Sequence, residues 1–305
     1  MTKKHSRMVV IALILWVANV SSITLEAQEA GDAVVLHEGI VYRPGEIDLK
    51  LDLYLPGGED EAVPCVLVVQ GGGFRSATDR RFGNYGRRLA ERGMAAAVID
   101  YRGLPDHTYP TTLSDVEAAA GFLREHGRTY HIEPDRIAAM GQSAGATIVT
   151  LLALRDESHA DLAAVVGIAG VYDFVARFAD PRQLAMQSGV AGKQRSNAAW
   201  IGEDFSEHAE RWRDASAQTH ANAGDPPVLL LHCRDDAVVP WLQAQSLHDT
   251  LVEAGVSSRL EIYETGGHQC LGRDGWTTLD RAIAFLNQAL AQNISARNSP
   301  TDNDD

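Results

Sequence analysis

Gly141-Gln142-Ser143-Ala144-Gly145 sets a serine between two glycines, each two residues away, where an apolar run ending at Met140 meets a segment of helical spacing beginning near Ala144. Strand before and helix after matter more than the pattern itself. A sharp strand-to-helix turn holds the serine in strained backbone geometry and leaves no room for side chains two residues to either side. The hydroxyl then stands at the C-terminal edge of a sheet and at a helix N-terminus, where developing negative charge is favoured. A serine hydroxyl is a poor nucleophile at neutral pH. It needs a base within hydrogen-bond reach, and that base needs a carboxylate to fix its tautomer.

Three other segments could supply the remaining parts. Gln70-Gly71-Gly72-Gly73-Phe74 follows the apolar run Val66–Val69. Its glycines let backbone N–H groups turn toward a bound carbonyl oxygen, and with the N–H of Ala144 they would form an oxyanion hole. The plainer reading is a flexible turn; a phosphate loop would need G-K-[ST] or G-x-G-x-x-G, and neither is here. His232-Cys233-Arg234-Asp235-Asp236-Ala237-Val238-Val239-Pro240 follows the run Val228–Leu231, and its two adjacent carboxylates compete to orient a histidine. Gly266-Gly267-His268 lies after Leu260–Tyr263 on a loop able to swing an imidazole over the serine. The chain has 11 histidines, and position singles out His268.

Elements of two kinds must position these loops. Leu49, Leu51, Leu53 and Leu55 alternate with Lys50, Asp52 and Tyr54, which predicts a strand with one buried face within Asp32–Tyr54. Beyond Pro56-Gly57-Gly58 the apolar runs are continuous: Val63–Val69, Met94–Ile99, Ile137–Met140, Ala163–Ala169 and Val228–Leu231. Strands without alternation are buried on both faces, as in a parallel sheet covered by helices. Between them, helical spacing predicts Arg80–Arg92, Leu113–Tyr130, Ala144–Arg155, Trp241–Ala254 and Leu279–Leu290. Ser114-Asp115-Val116-Glu117 has the form of a capping box and is expected to start the second helix. Alternation of strand and helix implies a right-handed, doubly wound α/β sheet. The polar stretch 173–225 reads as a small lid insertion over the sheet, and 293–305 as a disordered tail.

With 45% apolar residues in 305, the chain can bury a full core. A net charge of −14 repels phosphate backbones, which argues against a nucleic-acid partner. Lys3, Lys4 and Arg7 precede an apolar run from Met8 to Ala18, and small residues follow near Ala27 and Ala30. That order predicts a secretory signal peptide over 1–27 and a domain over 32–292 that is exported, periplasmic or secreted, with no membrane attachment once the signal is removed. Three cysteines are too few for a disulfide scaffold. Cys233 and Cys270 fall beside two of the site elements, which leaves open one bridge in an oxidising compartment or three buried thiols.

From about Leu49 to Leu290 the sequence resembles the esterase/lipase branch of the α/β-hydrolases, close to the hormone-sensitive-lipase-like, feruloyl and acetyl-xylan esterases. Leu51-Asp52-Leu53-Tyr54-Leu55-Pro56 looks like the strand before that family's oxyanion loop, and Gln70-Gly71-Gly72-Gly73-Phe74 is similar to its HGGG[FW] motif. Tyr101-Arg102, Tyr109-Pro110 and Asp115 resemble its Y-R-L-x-P…P…D stretch, which packs beneath the site; Ser143-Ala144-Gly145 matches its elbow, and Asp236-Ala237-Val238-Val239-Pro240 its D-x-x-V-P. Gln70 stands where the family usually has His, and Ala146 where a third Gly often lies.

The resemblance implies an α/β-hydrolase fold, Ser143 as nucleophile, His268 as base, Asp236 as its orienter, and oxyanion donors from Gly72, Gly73 and Ala144. It implies hydrolysis of carboxylic esters, short-chain or carried on a polysaccharide, with no metal or organic cofactor. A peptidase or amidase on the same triad is the neighbouring alternative, and a binding module that kept only the fold is the alternative from another class.

Overall fold

The computed structural model describes residues 34–58, 61–155, 161–206, 210–270 and 276–297. The expected signal peptide lies outside them. Among the described residues the strands are β1 (Val35–Arg43), β2 (Leu49–Leu55), β3 (Val63–Val69), β4 (Ala95–Ile99), β5 (Ile132–Gln142), β6 (Val165–Ile168), β7 (Val228–Cys233) and β8 (Ser258–Tyr263). They form one open sheet in the order β1-β2-β4-β3-β5-β6-β7-β8. The β1–β2 and β2–β4 pairs are antiparallel, and every pair from β4 to β8 is parallel. Parallel neighbours bring the C-terminal ends of β3, β5, β7 and β8 to one edge, where ligands bind in sheets of this kind.

Helices cover both faces. On one side α2 (Thr111–His126), α3 (Ala144–Leu154) and α8 (Leu242–Glu253) share a core with Cys65, Leu67 and Val69 of β3; on the other, α1 (Gly83–Ala90) and α9 (Thr277–Arg297) share one with Val66 and Val68. Each continuous apolar strand therefore feeds two cores, and the sheet is doubly wound as expected for an α/β-hydrolase fold. Helix α3 is apolar nearly all round because it lies between the sheet and its neighbours, with every residue but Ala153 buried. No helix of the described residues is long and apolar enough to cross a membrane.

Four expectations need correction. Strand β2 is buried on both faces: Asp52 pairs with Arg80 on the second face, and the ring of Tyr54 lies over Gly83 and Gly86 of α1. The cause is that β2 sits inside the sheet, with only β1 left as a largely exposed edge. Helix α2 begins at Thr111 after Pro110, one turn before Ser114, so that residue caps nothing. The last helix runs to Arg297, so the boundary set at residue 293 falls within it; residues 298–305 lie outside the described ones. The strand ending at the elbow is also longer than its apolar run, because polar residues from Glu133 to Arg136 continue β5 at its less buried end.

The polar stretch between β6 and β7 carries α4 (Phe174–Ala179), α5 (Pro181–Met186), α6 (Val190–Ile201) and α7 (Glu210–Asp214). Asp173 and Asp180 cap the first two, accepting N–H groups of the following turn. Their weak periodicity has a cause: a few large apolar side chains anchor them. Phe174, Trp200 and Trp212 are fully buried in the main core.

Candidate active site

Ser143 links β5 to α3 with φ 54° and ψ −121°, a conformation that costs a non-glycine residue of order 1–3 kcal/mol and persists only where the surroundings enforce it. Here they do. A Cβ on Gly145 would collide with the carbonyls of Val69 and Gln70, and one on Gly141 with the backbone of Gly145 and Ala146. The turn closes only with glycine at both positions. The Ser143 N–H donates to the Ile168 carbonyl at 2.8 Å, so β6 fixes the elbow from the other side.

The imidazole of His268 bridges the other two groups. Its Nε2 lies 2.8 Å from Ser143 Oγ and its Nδ1 2.8 Å from Asp236 Oδ2. A carboxylate only accepts, so Nδ1 carries the proton and Nε2 presents a lone pair to the serine hydroxyl. The two residues come from loops that follow the adjacent strands β7 and β8, which explains how positions 32 apart in sequence meet.

Asp236 is buried and fully engaged. Its Oδ1 accepts the N–H groups of Val238 and Val239, and its Oδ2 accepts from His268 and from His232 Nε2 at 3.2 Å. Burial alone would raise the pKa of this carboxyl. The hydrogen bonds from His232 and His268, the His268 charge and the Val239 N–H outweigh it and hold the group below the usual carboxylate range. The competing Asp235 does something else. It accepts the N–H groups of Gly267 at 2.8 Å and Gly266 at 3.2 Å, bracing the loop that carries His268. Gln142 Nε2 holds the His268 carbonyl at 3.0 Å from the opposite side.

The glycine loop lies directly against the elbow, with Gly71 so close that a Cβ there would stand 2.6 Å from the Gln142 carbonyl and 3.0 Å from Ser143 Cβ. Arg81 Nη2 donates to the Gly71 carbonyl at 3.2 Å. In a planar trans peptide the C=O and N–H point opposite ways, so the Gly72 N–H is turned away from Arg81. Gly72 and Gly73 both have positive φ, at 149° and 64°. Ala144 opens α3, and the first N–H groups of a helix have no carbonyl partner within it. Gly71 thus brings this loop against the serine, and Ala144 follows the serine directly.

Gln70 braces the loop. Its amide donates to Asp79 at 2.6 Å and accepts the Arg81 N–H at 2.7 Å, while its own carbonyl accepts the Tyr101 hydroxyl at 2.8 Å. Phe74, at the end of the loop, stacks on Trp200 of α6 at 4.0 Å.

His232, Asp79, Arg81, Arg177 and Lys193 take part in this framework without having been singled out from the sequence. Arg177, buried on α4, donates to the Val238 carbonyl, and Lys193 on α6 to that of Ala237. Only His232 left a signal, as a polar residue closing an aliphatic strand four positions before Asp236. Among the described residues no group of His, Cys, Asp and Glu is placed to hold a metal ion.

The BD-FAE family model matches residues 51–251, a span that includes Ser143 and Asp236 and stops short of His268. The probable carboxylic ester hydrolase LipM of Mycobacterium tuberculosis is 31% identical over 237 residues, 72% of this chain and 51% of its own. The probable isoprenylcysteine alpha-carbonyl methylesterase ICME of Oryza sativa subsp. japonica is 30% identical over 237 residues, 72% of this chain and 55% of its own. This chain spans about half the length of these curated relatives. Among solved structures, a truncated carbohydrate esterase from gut microbiota has a TM-score of 0.73 at 20% identity, covering 86% of this chain and 99% of that one. The thermophilic esterase Est2 of Thermogutta terrifontis has a TM-score of 0.67 at 23% identity, covering 86% and 93%.

Proposed function

Because the chain belongs to the BD-FAE family, we propose that it is a serine carboxylic-ester hydrolase working by two-step acyl transfer. The observation that carries this is the continuous hydrogen-bonded line Ser143–His268–Asp236 beside a glycine loop. Ser143 Oγ attacks the ester carbonyl carbon while its proton passes to His268 Nε2. The resulting alkoxide is held by the N–H groups of Gly72, Gly73 and Ala144. Asp236, kept ionised, stabilises the imidazolium that forms and holds its tautomer. The C–O bond to the alcohol breaks as His268 returns the proton to the departing oxygen. Water then repeats the sequence on the acyl-enzyme, freeing the acid and Ser143.

The substrate class is a short-chain or polysaccharide-linked acyl ester. Support comes from the carbohydrate esterase that shares the fold and from a further structural neighbour, an acetyl ester-xyloside bifunctional hydrolase. The basic and apolar order of residues 1–18 supports export, which suits a polymeric substrate too large to enter a cell.

Labelling with a fluorophosphonate tests the nucleophile. The wild-type protein takes up one equivalent and Ser143→Ala takes up none. A panel of p-nitrophenyl esters from acetate to laurate, with methyl ferulate, acetylated xylan and dipeptide anilides, tests the substrate. Hydrolysis confined to the anilides would overturn the ester assignment.

A further inference from the structure

Two residues after His268 comes Cys270, whose sulfur lies 2.6 Å from that of Cys233 at the end of β7. We propose that this pair is a disulfide site, and that the cross-link fixes the His268 loop to the strand that precedes Asp236. Each cysteine is two or three residues from a member of the candidate triad: Cys233 precedes Asp236, and Cys270 follows His268.

The placement favours a bond. A disulfide closes at about 2.05 Å, so the sulfurs need to approach by only about 0.5 Å. Both side chains are fully buried, and the loop is folded onto them: a Cβ on Gly266 would stand 2.7 Å from the Cys233 sulfur, and the Cys270 N–H donates to the Gly266 carbonyl at 3.2 Å. Cys270 itself holds a left-handed φ of 47°, a costly conformation for a residue with a Cβ, which turns its side chain back toward β7.

The pairing is unambiguous. The third cysteine, Cys65, belongs to the core on the opposite face of the sheet, whereas Cys233 and Cys270 share the other face. No exchange among the three is open to the folded chain.

The chemistry needs an oxidant of the disulfide class, oxidised glutathione or a dithiol oxidoreductase in its disulfide form. One thiol loses its proton and attacks the oxidant, giving a mixed disulfide and releasing one reduced thiol. The second protein thiolate displaces the other. Two protons and two electrons leave the protein, and the oxidant is reduced to two thiols. Export leads to an oxidising compartment in which such bonds persist, whereas cytosolic glutathione and thioredoxin keep thiols reduced. The cross-link stands whatever Ser143 does; the part its tethered loop plays in catalysis rests on the reading of His268 given above.

The full chain, folded in a glutathione redox buffer, is unfolded in guanidinium with iodoacetamide and no reductant, then weighed intact and after digestion. The expected result is one adduct, on Cys65, a linked peptide pair containing Cys233 and Cys270, and a mass about 2 Da below that of the reduced chain before alkylation. Reduction first gives three adducts. Three adducts without reduction, or any linked pair containing Cys65, would overturn the proposal. Oxidised wild type should melt about 5–10 °C above both its reduced form and Cys270→Ser. Equal melting of all three would overturn the tethering role, and the adduct count decides the bond even where the variant fails to fold. Neither readout depends on ester hydrolysis.

Discussion

His232 and His268 approach the same oxygen of Asp236, with Nε2 of the first at 3.2 Å and Nδ1 of the second at 2.8 Å. The inner histidine is wholly buried, and its Nε2 also lies 3.0 Å from the Val239 carbonyl. With two acceptors before it, Nε2 must carry the hydrogen, while Nδ1 has no hydrogen-bond partner among the described residues. The imidazole thus sits behind the carboxylate as a fixed Nε2–H donor and limits its rotation.

Removing that donor is predicted to affect turnover more than binding. His232→Leu leaves the Val239 carbonyl unpaired and frees one side of Asp236, and kcat should fall about 10-fold with KM within about 2-fold. His232→Gln, whose amide can donate, should recover part of the loss. Steady-state kinetics on an acetyl ester check this, and a matching rise in KM would show that the residue acts on substrate binding instead.

Adjacent carboxylates give a second, graded prediction. Asp236→Asn removes the acceptor that fixes the His268 tautomer, with an expected loss of about 10⁴-fold in kcat. Asp235→Asn leaves that contact and weakens only the grip on Gly266 and Gly267. Its loss should stay within about 10-fold. Similar losses in the two variants would mean that the division of labour between them is wrong.

The strands and the order of the site loops were legible because burial on two faces writes itself as unbroken apolar runs, and because the elbow tolerates only glycine at 141 and 145. The second buried face of β2 was not legible. Its Asp52 and Tyr54 look polar in the sequence, and they are buried because an ion pair with Arg80 and two glycines of α1 make room for them. The segment from Asp173 to Asp225 was opaque for a related reason. Its helices are short and held by single large anchors such as Trp200 and Trp212 on the main core. Support for the site was harder to read than the site itself, since Asp79, Arg81, Arg177 and Lys193 act through backbone carbonyls or through Gln70, contacts that no side-chain spacing encodes.

Lys193 yields a prediction in pH. Burial and the charge of Arg177 lower its pKa to about 8, while its Nζ donates to the Ala237 carbonyl beside Asp236. The unfolded chain, with lysine near its ordinary value of about 10.4, binds more protons between those limits. Stability contributed at this position must therefore rise as pH increases from about 8 to about 10.4, and stay flat below 8. Lys193→Met lacks this dependence, so the Tm of wild type minus that of the variant should climb across the window. A difference that is flat or falling there would show that the ammonium is not disfavoured in the fold.

Gln70, Asp79 and Arg81 form one framework behind the oxyanion loop, and its parts can be separated. Gln70 is fully buried with both ends of its amide engaged, so Gln70→Leu leaves the Arg81 N–H without its acceptor and releases Asp79. The expected cost is about 1–3 kcal/mol of stability, together with a loss in kcat of about 10-fold as the Gly72 and Gly73 donors drift from the reacting oxygen. Arg81 has a side chain that is 60% exposed, and Arg81→Met should leave Tm nearly unchanged. It does remove the donor on the Gly71 carbonyl that sets the direction of the Gly72 N–H. A fall in kcat of about 3–10-fold at constant KM and constant Tm is therefore expected from that single change. Thermal melts read beside initial rates separate the two effects. Were Arg81→Met to turn over like wild type while Gln70→Leu lost only stability, the framework would serve the fold alone and not the position of the oxyanion donors.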